Sequence, residues 1–251
     1  GICPNDGYGW CECEKCLALD TPEDRESKNV NGRVADFVAD ICKRMEKLAP
    51  GKKIGHYSYS NFADFADHLK FLPENLVVSF TEFRCLRHAM DDSACPENKP
   101  QWERMKKLLM KTGNVYIYDY YSHNWSGMAA PICKTVAGDF KAWYKENIHG
   151  FLSEASGSEH PSWKSFWPVF YTAARMMWDV GNDSDALMKD WCRRRYGKAV
   201  EAMTAYYSNL ASGLYSDGKC FKKRPDDLKR ILIPEVRAKC AENLAAALML
   251  E

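Results

Sequence analysis

The sequence lacks long hydrophobic runs and an excess of either charge. Its 251 residues carry 35 basic and 34 acidic side chains, so no broad basic field suggests a nucleic-acid partner. No apolar segment approaches the roughly 20 residues that are needed to span a bilayer. The chain also has no internal repeat, no low-complexity segment and no signal-peptide pattern.

Several catalytic signatures are missing as well. There is no glycine-rich phosphate loop, no G-x-S-x-G nucleophile elbow and no dinucleotide-binding fingerprint. The histidines are scattered, without the H-E-x-x-H pattern of a zinc protease. We therefore expect no cofactor.

Strand and helix patterns alternate along the first part of the chain. Apolar residues recur at spacings of three and four over Asn31–Leu48, which predicts a helix. Short segments at 53–60, 76–80, 115–118 and 150–153 predict strands. Because helical patterns or long connections separate these strands, we expect a parallel sheet joined by crossover connections.

The chain opens on Gly1-Ile2-Cys3-Pro4, which looks like the end of a further strand. We therefore expect a fragment whose upstream part is missing, since five strands are too few to close a barrel and about three more would give eight. The predicted fold is α/β, with residues 1–161 forming the C-terminal part of a (β/α)8 TIM barrel whose upstream strands are missing. Residues 162–251 are predicted to form a helical extension packing on the barrel.

Three carboxylates follow or end the predicted strands: Glu82, Asp119 and Glu154. Neighbouring parallel strands lie about 4.8 Å apart, so acids at their ends are expected about 5–10 Å apart. That range covers both geometries of glycosidic bond cleavage, in which one carboxyl is the acid and the other is ionised. A single acid at a strand end is alternatively a helix N-cap or a surface ion pair.

Aromatic and polar side chains cluster at the same strand ends. Sugar rings stack on aromatic planes, and phenol hydroxyls bond sugar hydroxyls, although core packing is the alternative for such tyrosines. Asn5 and Asp6 are alternatively parts of a tight turn, and a histidine alternatively has a structural role. The candidate substrate-binding residues are Asn5, Asp6, Tyr59, Tyr120, Tyr121, His123 and Trp125.

Eleven cysteines are many for a chain of this size. Four of them, Cys3, Cys11, Cys13 and Cys16, lie near the start. Their spacing is not the usual pair of C-x-x-C knuckles, so a structural metal site, disulfides and reduced, packed thiols all stay open.

Several short motifs are distributed along the chain: Cys3-Pro4-Asn5-Asp6-Gly7, the run Cys11–Cys16, the helix start Arg33–Val38, Lys53–Tyr59, the Cys85…Cys95-Pro96 loop, Tyr116–Tyr121, Gly150-Phe151 with Glu154, Trp178-Asp179, and Arg195–Ala199. Together they resemble a bacterial family, domain of unknown function 4838, which is linked to glycoside hydrolase family 163. The resemblance covers about residues 1–210. It implies an exported (β/α)8 enzyme, secreted, periplasmic or at the cell surface, with endo-β-N-acetylglucosaminidase activity on N-glycans.

The resulting hypothesis is a glycosidase that acts on a β-linked glycan, inactive as this fragment if the missing strands are essential. In acetamido-sugar hydrolases the substrate acetamide acts as nucleophile, one carboxylate orients it and another is the acid. These roles are assigned to Asp119 and Glu154, with Glu82 as a third candidate. The alternatives are a non-catalytic carbohydrate-binding or scaffold domain and an interaction domain stabilised by metal at the cysteine cluster.

Overall fold

A four-stranded parallel sheet is the centre of the fold in this computed structural model. The strands are β1 (Ile54–Ser58), β2 (Leu76–Thr81), β3 (Val115–Asp119) and β4 (Gly150–Ser153), paired in the order β1-β2-β3-β4. The structure describes residues 1–81, 83–122, 129–148, 150–154, 163–222 and 225–250.

Strands that are consecutive in the chain are also neighbours in the sheet. Ile54 of β1 faces Leu76 of β2, and Val78 of β2 faces Val115 of β3. Because the pairs are parallel and consecutive, each connection returns the chain to the same starting edge of the sheet. All carboxyl ends therefore meet at one edge.

The connection from β1 to β2, residues 59–75, contains no helix, whereas helices lie before β1, in the two later connections and after β4. They are α1 (Glu14–Leu17), α2 (Pro22–Ser27), α3 (Asn31–Leu48), α4 (Asn98–Lys111), α5 (Cys133–Lys145), α6 (Trp163–Trp178), α7 (Ser184–Tyr196), α8 (Val200–Tyr215), α9 (Pro225–Ile231) and α10 (Pro234–Leu248). None of the helices in the described residues is both long and apolar enough to cross a membrane.

The expectation of a fifth strand at the start of the chain is wrong for the described residues. Ile2 donates its N–H to the carbonyl of Gly55 at 2.8 Å, and its carbonyl lies 2.8 Å from Nδ1 of His56. The segment therefore follows the edge of β1 without forming a strand. The next residue whose N–H would point to β1 is Pro4, which has no N–H to donate. The sheet as described is open and not a closed barrel.

The chain divides into two compact units, each made of separate ranges. The first contains Gly1–Glu82, Trp102–Asp119 and Asn147–Leu152. The second contains Phe83–Gln101, Tyr120–Glu146 and Ser153–Glu251. The predicted boundary between residues 161 and 162 lies outside the described residues, so it stays a prediction.

Each unit has its own buried apolar residues. In the first unit the buried face of α3 and alternate positions of the strands provide Val34, Val38, Cys42, Leu76, Val78, Phe80, Val115 and Ile117. In the second unit the helices provide Ile132, Val136, Phe166, Val169, Met176, Met203 and Leu210. Burial of these side chains is the main source of stability in each unit.

Candidate functional site

Two of the three predicted acids lie where a strand ends. Asp119 is the last residue of β3 and is 3% exposed. Glu154 follows the last residue of β4 and is half-buried. Glu82, which follows β2, lies outside the described residues. Asp119 therefore ends one strand, and Glu154 directly follows the end of the next strand along the chain.

A side-chain hydrogen bond holds the backbone of Glu154. Ser122 Oγ donates to the carbonyl oxygen of Glu154 at 2.6 Å, and Ser153 Oγ lies 3.2 Å from the same oxygen. Ser122 is buried and belongs to the segment that follows β3. The segments that continue from β3 and β4 therefore lie side by side, and this contact fixes the main chain that carries the acid.

An aromatic pair lies in the same unit as Glu154. The rings of Phe83 and Tyr120 stack with centroids 4.3 Å apart and planes 10° from parallel. Phe83 follows the end of β2 and is 57% exposed, whereas Tyr120 is buried. An exposed ring on a rigid base is a surface on which a sugar face can stack. Sequence reasoning missed Phe83, although its position just past a strand end was a usable signal.

Tyr121 belongs to a buried polar network. Its ring is fully buried, and its hydroxyl donates to Oδ2 of Asp139 at 2.7 Å. Arg84 Nη2 donates to the same carboxylate at 2.6 Å, and the backbone N–H of Met90 donates to Oδ1 at 2.7 Å. Asp139 thereby connects the segments after β2 and β3 to α5. The proposed sugar contact of Tyr121 stays a prediction, but the structure gives this residue a packing role.

The remaining candidate substrate-binding residues lie in the first unit or outside the residues that the structure describes. Asn5 and Asp6 are exposed, and Tyr59 is half-buried with its ring centroid 6.1 Å from that of Phe62. His123 and Trp125 lie outside the described residues. The structure therefore groups Tyr120, Tyr121 and Glu154 in one unit, and Asn5, Asp6, Tyr59 and Asp119 in the other.

Three of the four early cysteines come together near the surface. The sulfurs of Cys11, Cys13 and Cys16 lie within 4.8 Å of one another, and Cys3 is not part of this group. A hydrogen bond from the backbone of Cys16 lowers the pKa of the Cys13 thiol. Hydrogen bonds with the side chains of Cys11 and Cys13, of which the one with Cys11 has the larger effect, raise the pKa of the Cys16 thiol to about 11. Three thiols do not complete a tetrahedral site, so the metal and disulfide interpretations both stay open.

A second cluster, which sequence reasoning missed, joins Cys85, His88, Cys95 and Cys220. Burial raises the pKa of the Cys95 thiol to about 12 and lowers the pKa of His88. The only usable signal in the sequence was the loop from Cys85 to Cys95. Cys220 lies 125 residues beyond Cys95, which is too far for any local motif.

Comparisons with known proteins identify one family. Residues 1–208 match the model of the family described as a domain of unknown function (DUF4838). Neither the curated proteins nor the solved structures contain a match to the chain. Since the matched range is most of the 251 residues, the chain belongs to the DUF4838 family.

Proposed function

We propose that this chain is the acid-bearing part of a glycoside hydrolase that cleaves a β-linked, N-acetylglucosamine-containing glycan. The observation that carries the proposal is the position of Asp119 and Glu154, each at the carboxyl end of a strand, on neighbouring strands of a parallel sheet. Enzymes built on parallel α/β sheets hold their catalytic groups at this edge.

The two acids have separate roles in the proposed reaction. Asp119 is almost completely buried, whereas Glu154 is half-buried. In the proposed reaction the carboxyl group of Glu154 donates its proton to the leaving glycosidic oxygen. The carboxylate of Asp119 orients the acetamide of the substrate, whose oxygen attacks the anomeric carbon. Water then opens the cyclic intermediate, and Glu154 takes back a proton.

The substrate class is supported by the aromatic pair and by the family resemblance. The exposed ring of Phe83, stacked on Tyr120, offers a flat apolar surface in the unit that contains Glu154. Sugars present C–H faces that pack on such a ring. The resemblance of the sequence motifs to glycoside hydrolase family 163 suggests a β-linked N-acetylglucosamine unit at the cleavage point.

We further propose that the sheet is part of a (β/α)8 barrel. The four strands are parallel and consecutive, and helices α4 and α5 lie in the connections that follow β2 and β3, as in the repeating unit of that fold. Four further strands would be needed to close it. A crystal structure of the intact natural protein tests this proposal directly, and an open sheet in that structure would overturn it.

The hydrolase proposal is tested with the intact natural protein and an N-glycopeptide, with released glycan measured by mass spectrometry. Glu154→Gln and Asp119→Asn are each expected to lower kcat by about 100-fold or more, because each removes a group that acts in the transition state. The matched controls are Glu103→Gln and Asp67→Asn, which change exposed acids elsewhere. Both controls should leave kcat unchanged.

Two outcomes contradict the proposal. Undiminished turnover by Glu154→Gln would remove the acid assignment. Glycan binding without any turnover by the unmodified protein would instead favour a non-catalytic carbohydrate-binding domain. Circular dichroism of each variant shows whether a loss of rate reflects a loss of fold.

A further inference from the structure

Four metal-binding side chains meet in the second unit. Cys85 and His88 come from the loop after β2, Cys95 lies three residues before α4, and Cys220 lies after α8. Their ligand atoms all lie within 4.8 Å of one another. Cys85 Sγ is 3.3 Å from His88 Nδ1, and Cys95 Sγ is 3.5 Å from Cys220 Sγ.

We propose that this cluster, the Cys3His cluster, is a structural zinc site. Zinc bound by three thiolates and one imidazole is tetrahedral, with Zn–S bonds of about 2.3 Å and Zn–N bonds of about 2.0–2.1 Å. The edges of such a tetrahedron measure about 3.6–3.8 Å. The two measured separations fall within a few tenths of an ångström of these edges. Only small side-chain movements are needed to admit the ion.

A backbone N–H group contacts one of the sulfurs. Phe221 donates its N–H to Cys85 Sγ at 3.3 Å. A donor of this kind stabilises the negative charge of a zinc-bound thiolate and fixes its orientation.

Asn98 holds the loop that carries two of the ligands. Its Oδ1 accepts the N–H of Cys85 at 2.9 Å, and its Nδ2 donates to the carbonyls of Cys85 at 3.1 Å and His88 at 3.0 Å. Asn98 is completely buried. The amide therefore acts as a positioning residue, since it fixes the backbone at both ends of the Cys85–His88 segment before any metal binds.

The site is structural because four protein ligands fill the tetrahedron and leave no position for substrate or water. It connects the loop after β2 to a segment 125 residues beyond Cys95. A second connection runs beside it, because Leu86 donates its N–H to the carbonyl of Phe221 at 2.9 Å. A disulfide between Cys95 and Cys220 is the competing interpretation, but it requires a sulfur separation of about 2.05 Å.

Metal analysis of this chain, purified under reducing conditions and reconstituted with zinc chloride, tests the proposal. We expect one zinc ion per chain, and X-ray absorption should show three sulfurs and one nitrogen around it. Cys220→Ser should lose the zinc, whereas Cys13→Ser, in the exposed three-thiol group, should keep it.

Three results would overturn the proposal. They are less than stoichiometric zinc after reconstitution, a disulfide between Cys95 and Cys220 in the reduced preparation, and loss of zinc from Cys13→Ser with retention by Cys220→Ser. If Cys220→Ser does not fold, X-ray absorption of the unmodified chain decides alone, since a shell other than three sulfurs and one nitrogen contradicts the assignment.

The positioning role of Asn98 has its own test. Asn98→Ala is expected to weaken zinc binding about 10–100-fold in competition with a chelator, while the absorption spectrum still shows three sulfurs and one nitrogen. The Asn98→Asp variant keeps one acceptor oxygen and should recover part of the affinity. Unchanged zinc affinity in Asn98→Ala would contradict the positioning role.

Discussion

Asp139 is the residue whose replacement should destabilise the chain most clearly. Its carboxylate accepts three hydrogen bonds, from Arg84, Tyr121 and the backbone of Met90, at 2.6–2.7 Å. Both members of the ion pair are buried, with side-chain exposures of 1% for Arg84 and 0% for Asp139. Asp139→Ala would leave a guanidinium group, a hydroxyl and an N–H buried without this acceptor. Removing one partner of a buried ion pair costs about 3–5 kcal/mol.

The assay is urea unfolding followed by circular dichroism. With a slope of about 3 kcal/mol per molar urea, the midpoint should fall by about 1–1.7 M. Asp226→Ala is the matched control, because it removes an exposed carboxylate paired with Lys229 and should leave the midpoint nearly unchanged. A loss below about 1 kcal/mol for Asp139→Ala would refute the reasoning. The double variant Arg84→Met with Asp139→Leu should recover much of the loss, because replacing both charges removes the unpaired one.

Three further predictions concern packing, pH and thiol reactivity. Gly150→Ala should cost about 1–3 kcal/mol in urea unfolding, since a Cβ there would lie 2.3 Å from the ring of Tyr116, whereas Gly55→Ala should cost little because nothing lies within 4 Å. Burial raises the pKa of the Tyr215 hydroxyl to about 12. The stability that the neutral hydroxyl contributes is therefore complete below about pH 10 and is lost as the pH rises towards 12. Tyr215→Phe should reduce this loss of stability at alkaline pH. The lowered pKa of the exposed Cys13 thiol predicts that Cys13→Ser removes the fastest phase of the reaction with a thiol reagent near pH 8, and an unchanged fast phase would contradict this.

The secondary structure was largely predictable because the hydrophobic periodicity is strong. The helix at Asn31–Leu48 and the strand at Gly150–Ser153 have the predicted ends. Helix α4 begins at Asn98, and its first turn contains polar residues and Pro100, which a first turn tolerates.

The short helix α2 was not predicted from the sequence. It begins after Thr21, whose Oγ1 accepts the N–H of Asp24 at 3.1 Å, and Pro22 occupies its first position. Asp24 Oδ1 in turn accepts a hydrogen bond from Asn31 at 2.9 Å. The capping signal of this helix was present in the sequence.

The candidate site was only partly predictable. Acids at strand ends can be read from local patterns, so the positions of Asp119 and Glu154 at the ends of β3 and β4 were predicted, while their catalytic roles stay a prediction. The role of Asp139 was not visible, because it depends on Arg84 and Tyr121, which are 55 and 18 residues away. The Cys3His cluster was not predicted from the sequence for the same reason. Long-range contacts leave no periodic signal in a single sequence.

The hydrogen bond from Ser122 to the carbonyl of Glu154 makes the position of one segment depend on the other. A substitution that removes this hydroxyl after β3 would loosen the main chain after β4, although neither acid is changed. Loss of the proposed activity in such a variant would therefore not by itself identify a catalytic residue.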